Sequence, residues 1–171
     1  LHAGRIINPR QGEDILAAGH VDMVGMTRAS IADPDIIRKT AEQREADVLY
    51  CVGCGQACMG RVNQNRHVTC IQNPFTWREH AWQPQDPVAT PKRIVVVGGG
   101  PAGMAFAWTA AARGHHVSLY DKQHELGGQV LLAEQLPLCL EMGSVARNLS
   151  RQVWQAGVEV HLNTSVTGDM V

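Results

Sequence analysis

Apolar residues fall along the chain in short runs that alternate with helical patterns, and the character of the pattern changes near residue 48 and again near residue 92. Over residues 1–47, "GRI" (Gly4–Ile6) predicts the end of one strand. "VDMVGM" (Val21–Met26) predicts a second, buried one, because it is short, apolar and bounded by a polar turn. "GEDILAAG" between them predicts a short helix closed by Gly19. "IADPDIIRKTAEQR" predicts a helix with Asp33 at its N-cap, Pro34 in the first helical position and Asp35 in the first turn. The order strand, helix, strand, helix implies a parallel sheet with covering helices.

Residues 48–73 carry no useful periodicity. Residues 74–91 are rich in proline and equally unpatterned, which predicts a linker tracing a surface. Residues 92–171 restart as βαβ: "RIVVV" as a strand, Pro101–Arg113 as a helix of small residues ended by Gly114, and "HVSLY" as a second strand. A helix over Met142–Gln155 and a third strand at "VEVHL" follow. The chain opens on Leu1, already inside a patterned segment, and is expected to be a piece of a longer protein, inactive by itself.

Composition narrows the function classes. With 44% hydrophobic and 18% charged residues, the 171-residue chain is an ordinary globular one. A formal charge of −1 supplies no global field for nucleic acid or anionic lipid. No apolar run approaches the ~20 residues of a membrane span. The expected setting is the cytoplasm, with neither nucleic acid nor membrane as partner. Cysteines are five, an odd count, and four crowd into one short segment, which argues against a secreted disulfide scaffold.

The third region carries a nucleotide signal. "VVVGGGPAGM" places Gly98-x-Gly100-x-x-Gly103 directly after a strand and at the opening of a helix. Gly98 permits the tight turn, Gly100 lets the backbone approach a pyrophosphate, and Gly103 lets helix and strand pack closely. The helix N-terminus offers free N–H groups to the phosphates. Asp121, at the end of the second strand, is placed to accept from a ribose 2′-OH, which favours FAD, NAD or ADP over NADP. The "ELGGQ" pair just after it points to FAD. Together "VVGGGPAGM", "VSLYDK" and "LGGQ" resemble the flavoprotein disulfide-reductase type of FAD domain. That resemblance implies that Ala102, Asp121 and Gln129 face the cofactor, with Val166 contacting the adenine through its backbone.

Two strand-end loops in the first region carry glycine and arginine: Gly4-Arg5, and Thr27-Arg28 within "GMTRAS". Paired loops of that kind grip phosphate at the end of a (β/α)₈ barrel, with arginine as a planar multidentate donor. Two βα units do not identify a barrel, and solvated helix-edge charges would look the same.

Cys51, Cys54, Cys58 and Cys70 follow the spacing C-x₂-C-x₃-C-x₁₁-C. A zinc ribbon has two C-x₂-C pairs, and here the second is missing, although His67 would complete a Cys₃His zinc site. Three clustered thiolates closed by a distant fourth suit a cubane iron–sulfur cluster, and the spacing favours that over zinc without excluding it. Lying between a phosphate-gripping segment and a dinucleotide domain, a cluster would pass electrons where zinc would only brace.

The order of these motifs, "IADPDIIRK", "CVGCGQACMGRV…CIQNP", a proline-rich linker and "VVGGGPAGM", resembles the trimethylamine dehydrogenase/2,4-dienoyl-CoA reductase family over essentially the whole chain. The resemblance implies an α/β protein in four parts. Residues 1–47 would be the last two βα units of a TIM barrel that binds FMN, and 48–73 an iron–sulfur segment. Residues 74–91 would be a linker, and 92–171 an incomplete Rossmann-like FAD-binding domain. It implies that Cys51, Cys54, Cys58 and Cys70 ligate a [4Fe–4S] cluster and that Arg5, Thr27 and Arg28 hold FMN phosphate. The implied activity is an oxidoreductase passing electrons between FMN and FAD (or a site holding ADP). Its small-molecule substrate would be an N-methylated amine or an enoyl compound, with NAD(P)H or an electron-transfer flavoprotein as partner. The acid and base residues would lie on earlier barrel loops, so no catalytic residue is assigned. Leu138-Cys139 stands where family members often have a basic residue. A non-enzymatic electron-transfer module and a zinc-stabilised linker are the alternatives.

Overall fold

In the computed structural model, which describes residues 1–81 and 87–170, the chain forms two units, Leu1–Trp82 and Gln83–Val171. Both are α/β with parallel strand pairing. Residues 82–86, within the segment predicted as a linker, lie outside the described residues.

The first unit begins with β1 (His2–Ala3), α1 (Pro9–Ala17) and β2 (Val24–Gly25), and the two strands pair in parallel with His2 opposite Val24. Both strands are shorter than the apolar runs predict. "GRI" lies beyond β1 rather than ending it, because the backbone turns out of the strand at Arg5 (φ 49°). Only two residues of "VDMVGM" are strand, and Met23 is exposed, since so short a partner offers no longer ladder. Helix α1 starts three residues before the expected Gly12. Asn8 caps it by accepting from the Arg10 N–H, Pro9 supplies the first helical φ, and Gly19 ends it with φ 72°.

Two further helices follow, α2 (Thr27–Ala32) and α3 (Ile36–Ala41). The sequence pattern predicts only one, starting at Asp33. Asp33 instead closes α2, and its carboxylate accepts the Asp35 N–H just ahead of α3. Helix α2 lacks an apolar stripe because it buries alanines, Ala29 and Ala32, which let neighbours approach closely. Ala29, Ile36 and Val48 form the small core, with Met26 and Tyr50 packed against it. Residues 48–81 hold one four-residue helix, α4 (Met59–Val62), and turns.

The second unit is a three-stranded parallel sheet in the order β3 (Arg93–Val97), β4 (His116–Tyr120), β5 (Glu159–His161). Helix α5 (Pro101–Ala112) connects β3 to β4, while α6 (Gln129–Glu134) and α7 (Gly143–Gln155) lie between β4 and β5. The strands sit where the apolar runs predict. The core joins Val96, Val117 and Leu119 of the sheet to Met104 and Ala107 of α5 and to Val145, Leu149 and Val153 of α7. Among the described residues no helix is long and apolar enough to cross a membrane.

Candidate functional site

A buried carboxylate sets the path into the cysteine segment. Asp33 is 2% exposed and takes Lys39 Nζ at 2.6 Å and the Leu49 N–H at 2.9 Å on Oδ2. Lys39 Nζ also donates to the Asp47 carbonyl. One ion pair therefore fixes the backbone from Asp47 to Leu49, two residues before Cys51. A charge this deep needs its partner, because an unpaired one costs several kcal/mol.

Beyond Tyr50 the chain loops around a single small cavity that Cys51, Cys54, Cys58 and Cys70 all line. All four are half-buried free thiols. Gly53 and Gly55 have φ of 67° and 66°, conformations that let so tight a loop place three cysteines within eight residues. The loop closes on itself where the Gly60 N–H meets the Gly55 carbonyl, and the returning segment docks through Thr69 N–H to Ala57 O at 2.8 Å. The Gly53 N–H donates to Cys51 Sγ at 3.4 Å. Burial pushes the Cys70 thiol above its ordinary pKa, with Cys51 and Cys54 adding to the rise, while N–H groups of Gln72 and Asn73 pull the other way by favouring the thiolate.

Three polar residues after Cys70, Gln72, Asn73 and Thr76, are buried, and each has a partner. Gln72 donates to the Tyr50 carbonyl at 3.0 Å, tying the fourth cysteine to the residue before the first. Asn73 Nδ2 and Thr76 Oγ1 both donate to the Ile31 carbonyl of α2. None of these roles is predicted by the sequence pattern, although polar residues directly behind a ligand-type cysteine are the signal available. His67, the alternative zinc ligand, stacks on Trp77 with ring centroids 5.2 Å apart and does not line the cavity. Among the described residues, no three His, Cys, Asp or Glu side chains are arranged to hold a single metal ion.

Two of the three expected phosphate residues, Arg5 and Arg28, lie against this loop. Thr27 and Arg28 are the first two residues of α2 rather than part of a preceding loop. Thr27 is exposed, whereas Arg28 is half-buried and lines the cysteine cavity. The Arg5 guanidinium lies beside Gly53, where an added Cβ would meet Nη2 at 3.6 Å.

In the second unit the glycine turn has the geometry its sequence demands. Gly98 has φ 105°, and its N–H meets the Tyr120 carbonyl, holding β3 to β4. A Cβ on Gly103 would fall 1.9 Å from the Gly98 carbonyl oxygen, so helix and turn touch backbone to backbone. Gly100 caps α5 ahead of Pro101, and a Cβ there would meet nothing within 4 Å. Its surroundings are open, as an approaching pyrophosphate requires. The "ELGGQ" segment lies across this turn: Gly127 N–H donates to Gly99 O, and a Cβ on Gly128 would meet Gly100 Cα at 3.2 Å. Asp121 accepts the Gly99 and Gln123 N–H groups, one on each carboxylate oxygen, so it orients the turn while keeping lone pairs for a ribose. Gly99 is a further residue of the site that the G-x-G-x-x-G pattern leaves unmarked.

A cavity of about 260 Å³ opens at the C-terminal ends of β3 and β4. Gly98, Tyr120, Asp121, Lys122, Thr164 and Val166 line it, so three of the predicted nucleotide residues share one site with three side chains, Tyr120, Lys122 and Thr164, that the pattern does not mark. Gly100, Ala102, Gly103 and Gln129 stand apart from its lining, Gly100 capping α5, Ala102 and Gly103 in the first turn of that helix and Gln129 at the start of α6.

A family model for an NAD(P)-binding Rossmann-like domain matches residues 96–136. The chain is 41% identical over 167 residues to the N,N-dimethylglycine/sarcosine dehydrogenase of Chromohalobacter salexigens, covering 96% of this chain and 24% of that protein. It is 40% identical to the NADH oxidase of Thermoanaerobacter brockii, covering 97% of this chain and 25% of that one. A solved 2-naphthoyl-CoA reductase complex superimposes with a TM-score of 0.88 at 34% identity, over 98% of this chain and 26% of the reductase. The chain thus spans about a quarter of the length of the relatives it matches. It belongs to the trimethylamine dehydrogenase/2,4-dienoyl-CoA reductase family of flavoprotein oxidoreductases.

Proposed function

We propose that the chain is the electron-relay part of a flavin- and iron–sulfur-dependent oxidoreductase. The observation that carries this reading is that four free thiols, spaced as for a cubane, line one cavity. We read Cys51, Cys54, Cys58 and Cys70 as the ligands of a [4Fe–4S] cluster. Arg5, Thr27 and Arg28 are read as holding FMN phosphate. Gly98, Gly100, Ala102, Gly103, Asp121, Gln129 and Val166 are read as holding FAD, or ADP. When bound, such groups supply hydride and single-electron chemistry that no side chain provides.

The chain's own residues bind and orient. The Gln72 and Asn73 N–H groups favour ionised sulfur at Cys70 against the burial that raises its pKa, and the Gly53 N–H donates to Cys51 Sγ. The N-terminus of the 12-residue α5 presents open N–H groups beside Gly100, and Asp121 offers acceptors at the mouth of the adjoining cavity. On this reading the first unit is the C-terminal end of a (β/α)₈ barrel and the second part of an FAD-binding domain. The whole protein works in the cytoplasm on a small molecule, with NAD(P)H or an electron-transfer flavoprotein as its redox partner. Likeness to a dimethylglycine/sarcosine dehydrogenase supports demethylation of an N-methylated amine, and likeness to a 2-naphthoyl-CoA reductase supports NAD(P)H-dependent reduction of an enoyl or dienoyl compound.

Anaerobic spectroscopy of the full-length protein tests this. Flavin bleaching by an N-methylated amine supports the first substrate class. Bleaching by NAD(P)H with recovery on adding an enoyl thioester supports the second. A protein that retains no flavin and responds to neither overturns the reading.

A further inference from the structure

We propose that Arg28 sets the charge balance of the four-cysteine site and makes the group bound there easier to reduce. This rests on the iron–sulfur reading above and adds to it a role for one side chain. Arg28 lines the same cavity as all four cysteines, alongside Ile31, Val52 and Ile71. Arg10, Arg38 and Arg44 of the same unit pair with Glu45, Asp35 and Glu42. Arg28 has neither a carboxylate nor a hydrogen-bond partner among the described residues. A half-buried guanidinium without a countercharge is costly, unless the anion it serves is not a side chain of its own unit.

The thiols facing it provide that anion once they bind iron. Four thiolates on a cubane leave a net negative charge, and one-electron reduction adds another. A fixed cation in a wall of low polarity favours the more negative, reduced state. Guanidinium does not lose its proton at any working pH, so the effect is constant across pH.

The placement is enforced rather than incidental. The Ile31 carbonyl, one helical turn beyond Arg28, is held by Asn73 and Thr76 behind Cys70. Helix α2 and the fourth cysteine are therefore fixed to each other. Arg5 approaches the same loop at Gly53, between Cys51 and Cys54, and supplies a second positive charge. The arginines that the motif assigns to phosphate thus also stand beside the thiols, which couples the charge of one site to the other.

The test uses the anaerobically purified full-length holoprotein, Arg28→Met and Arg28→Lys. Iron and acid-labile sulfide are measured first, then each protein is titrated with dithionite at controlled potential, following the reduced-cluster resonance signal. The expected result is a lower reduction potential for Arg28→Met at unchanged iron content, with Arg28→Lys close to wild type, and the same separation at pH 7 and pH 8.5. A fully loaded Arg28→Met that titrates at the wild-type potential overturns the proposal. So does an Arg28→Lys that shifts as far as the methionine variant, since charge would then be irrelevant. Should Arg28→Met lose its iron, Arg28→Lys decides: wild-type potential supports the proposal and a methionine-sized loss of iron overturns it. A wild-type protein without iron would instead sink the underlying cluster reading.

Discussion

Replacing Gly103 by alanine tests whether the glycine turn is built as described. The new methyl group would stand 1.9 Å from the Gly98 carbonyl oxygen and 3.1 Å from its carbon. Both are backbone atoms, so no side chain can swing aside. Turn and helix must part by roughly 1 Å, a disturbance on the scale of severe core overpacking, about 3 kcal/mol. Parting them also loosens Met104 and Ala107 of α5, both fully buried, from the sheet. For a unit of this size, about 3 kcal/mol lowers the melting temperature by roughly 15 °C. Gly100→Ala is the matched control. Gly100 has φ −74° and empty space where its Cβ would lie, so alanine there should cost under about 1 kcal/mol. It would still obstruct a pyrophosphate. Thermal melting by circular dichroism and the nucleotide content after gel filtration read the two effects separately. Gly103→Ala should lose both stability and nucleotide, and Gly100→Ala chiefly nucleotide. Equal melting temperatures for Gly103→Ala and wild type would refute the backbone contact on which the site depends.

Asp33→Asn should destabilise the first unit by about 3 kcal/mol, because it leaves the Lys39 ammonium buried without its partner; denaturant unfolding checks this, and Asp33→Asn with Lys39→Met should recover part of the loss. Gln72→Ala removes the bond from the fourth cysteine's neighbour to the Tyr50 carbonyl, worth about 1–2 kcal/mol. It should release iron to a chelator several-fold faster than wild type, with an unchanged rate counting against a positioning role. Cys139 lies in the second unit, in the turn before α7, so Cys139→Ser should keep full iron content while Cys58→Ser loses it.

What the sequence made legible follows from how completely a run of residues specifies its own element. "RIVVV" and "HVSLY" are strand from end to end and pair as their apolar runs imply, although the partners Arg93 and His116 lie 23 residues apart, and the glycine turn is written in the G-x-G-x-x-G pattern itself. In the first unit, strand length depends on the partner, so "VDMVGM" could not announce that only Val24–Gly25 would pair. Asp33 carries every mark of a helix cap, but its main partners are Lys39 and the Leu49 N–H, the latter sixteen residues away. Helix α2 escaped because alanine burial leaves no hydrophobic stripe. The placement of Arg28 among the cysteines was invisible because no local pattern marks it: more than twenty residues separate it from Cys51, and only the folded chain joins them.

The electron-relay role of the first unit depends on what the four cysteines hold. Quantifying iron, acid-labile sulfide and zinc in the anaerobically purified full-length protein tests it most directly, with the spectrum recorded before and after dithionite. The predicted result is four irons and four sulfides per chain beyond any flavin, in a brown chromophore that bleaches on reduction, and their loss in Cys70→Ser. A colourless, iron-free protein carrying one zinc would contradict it.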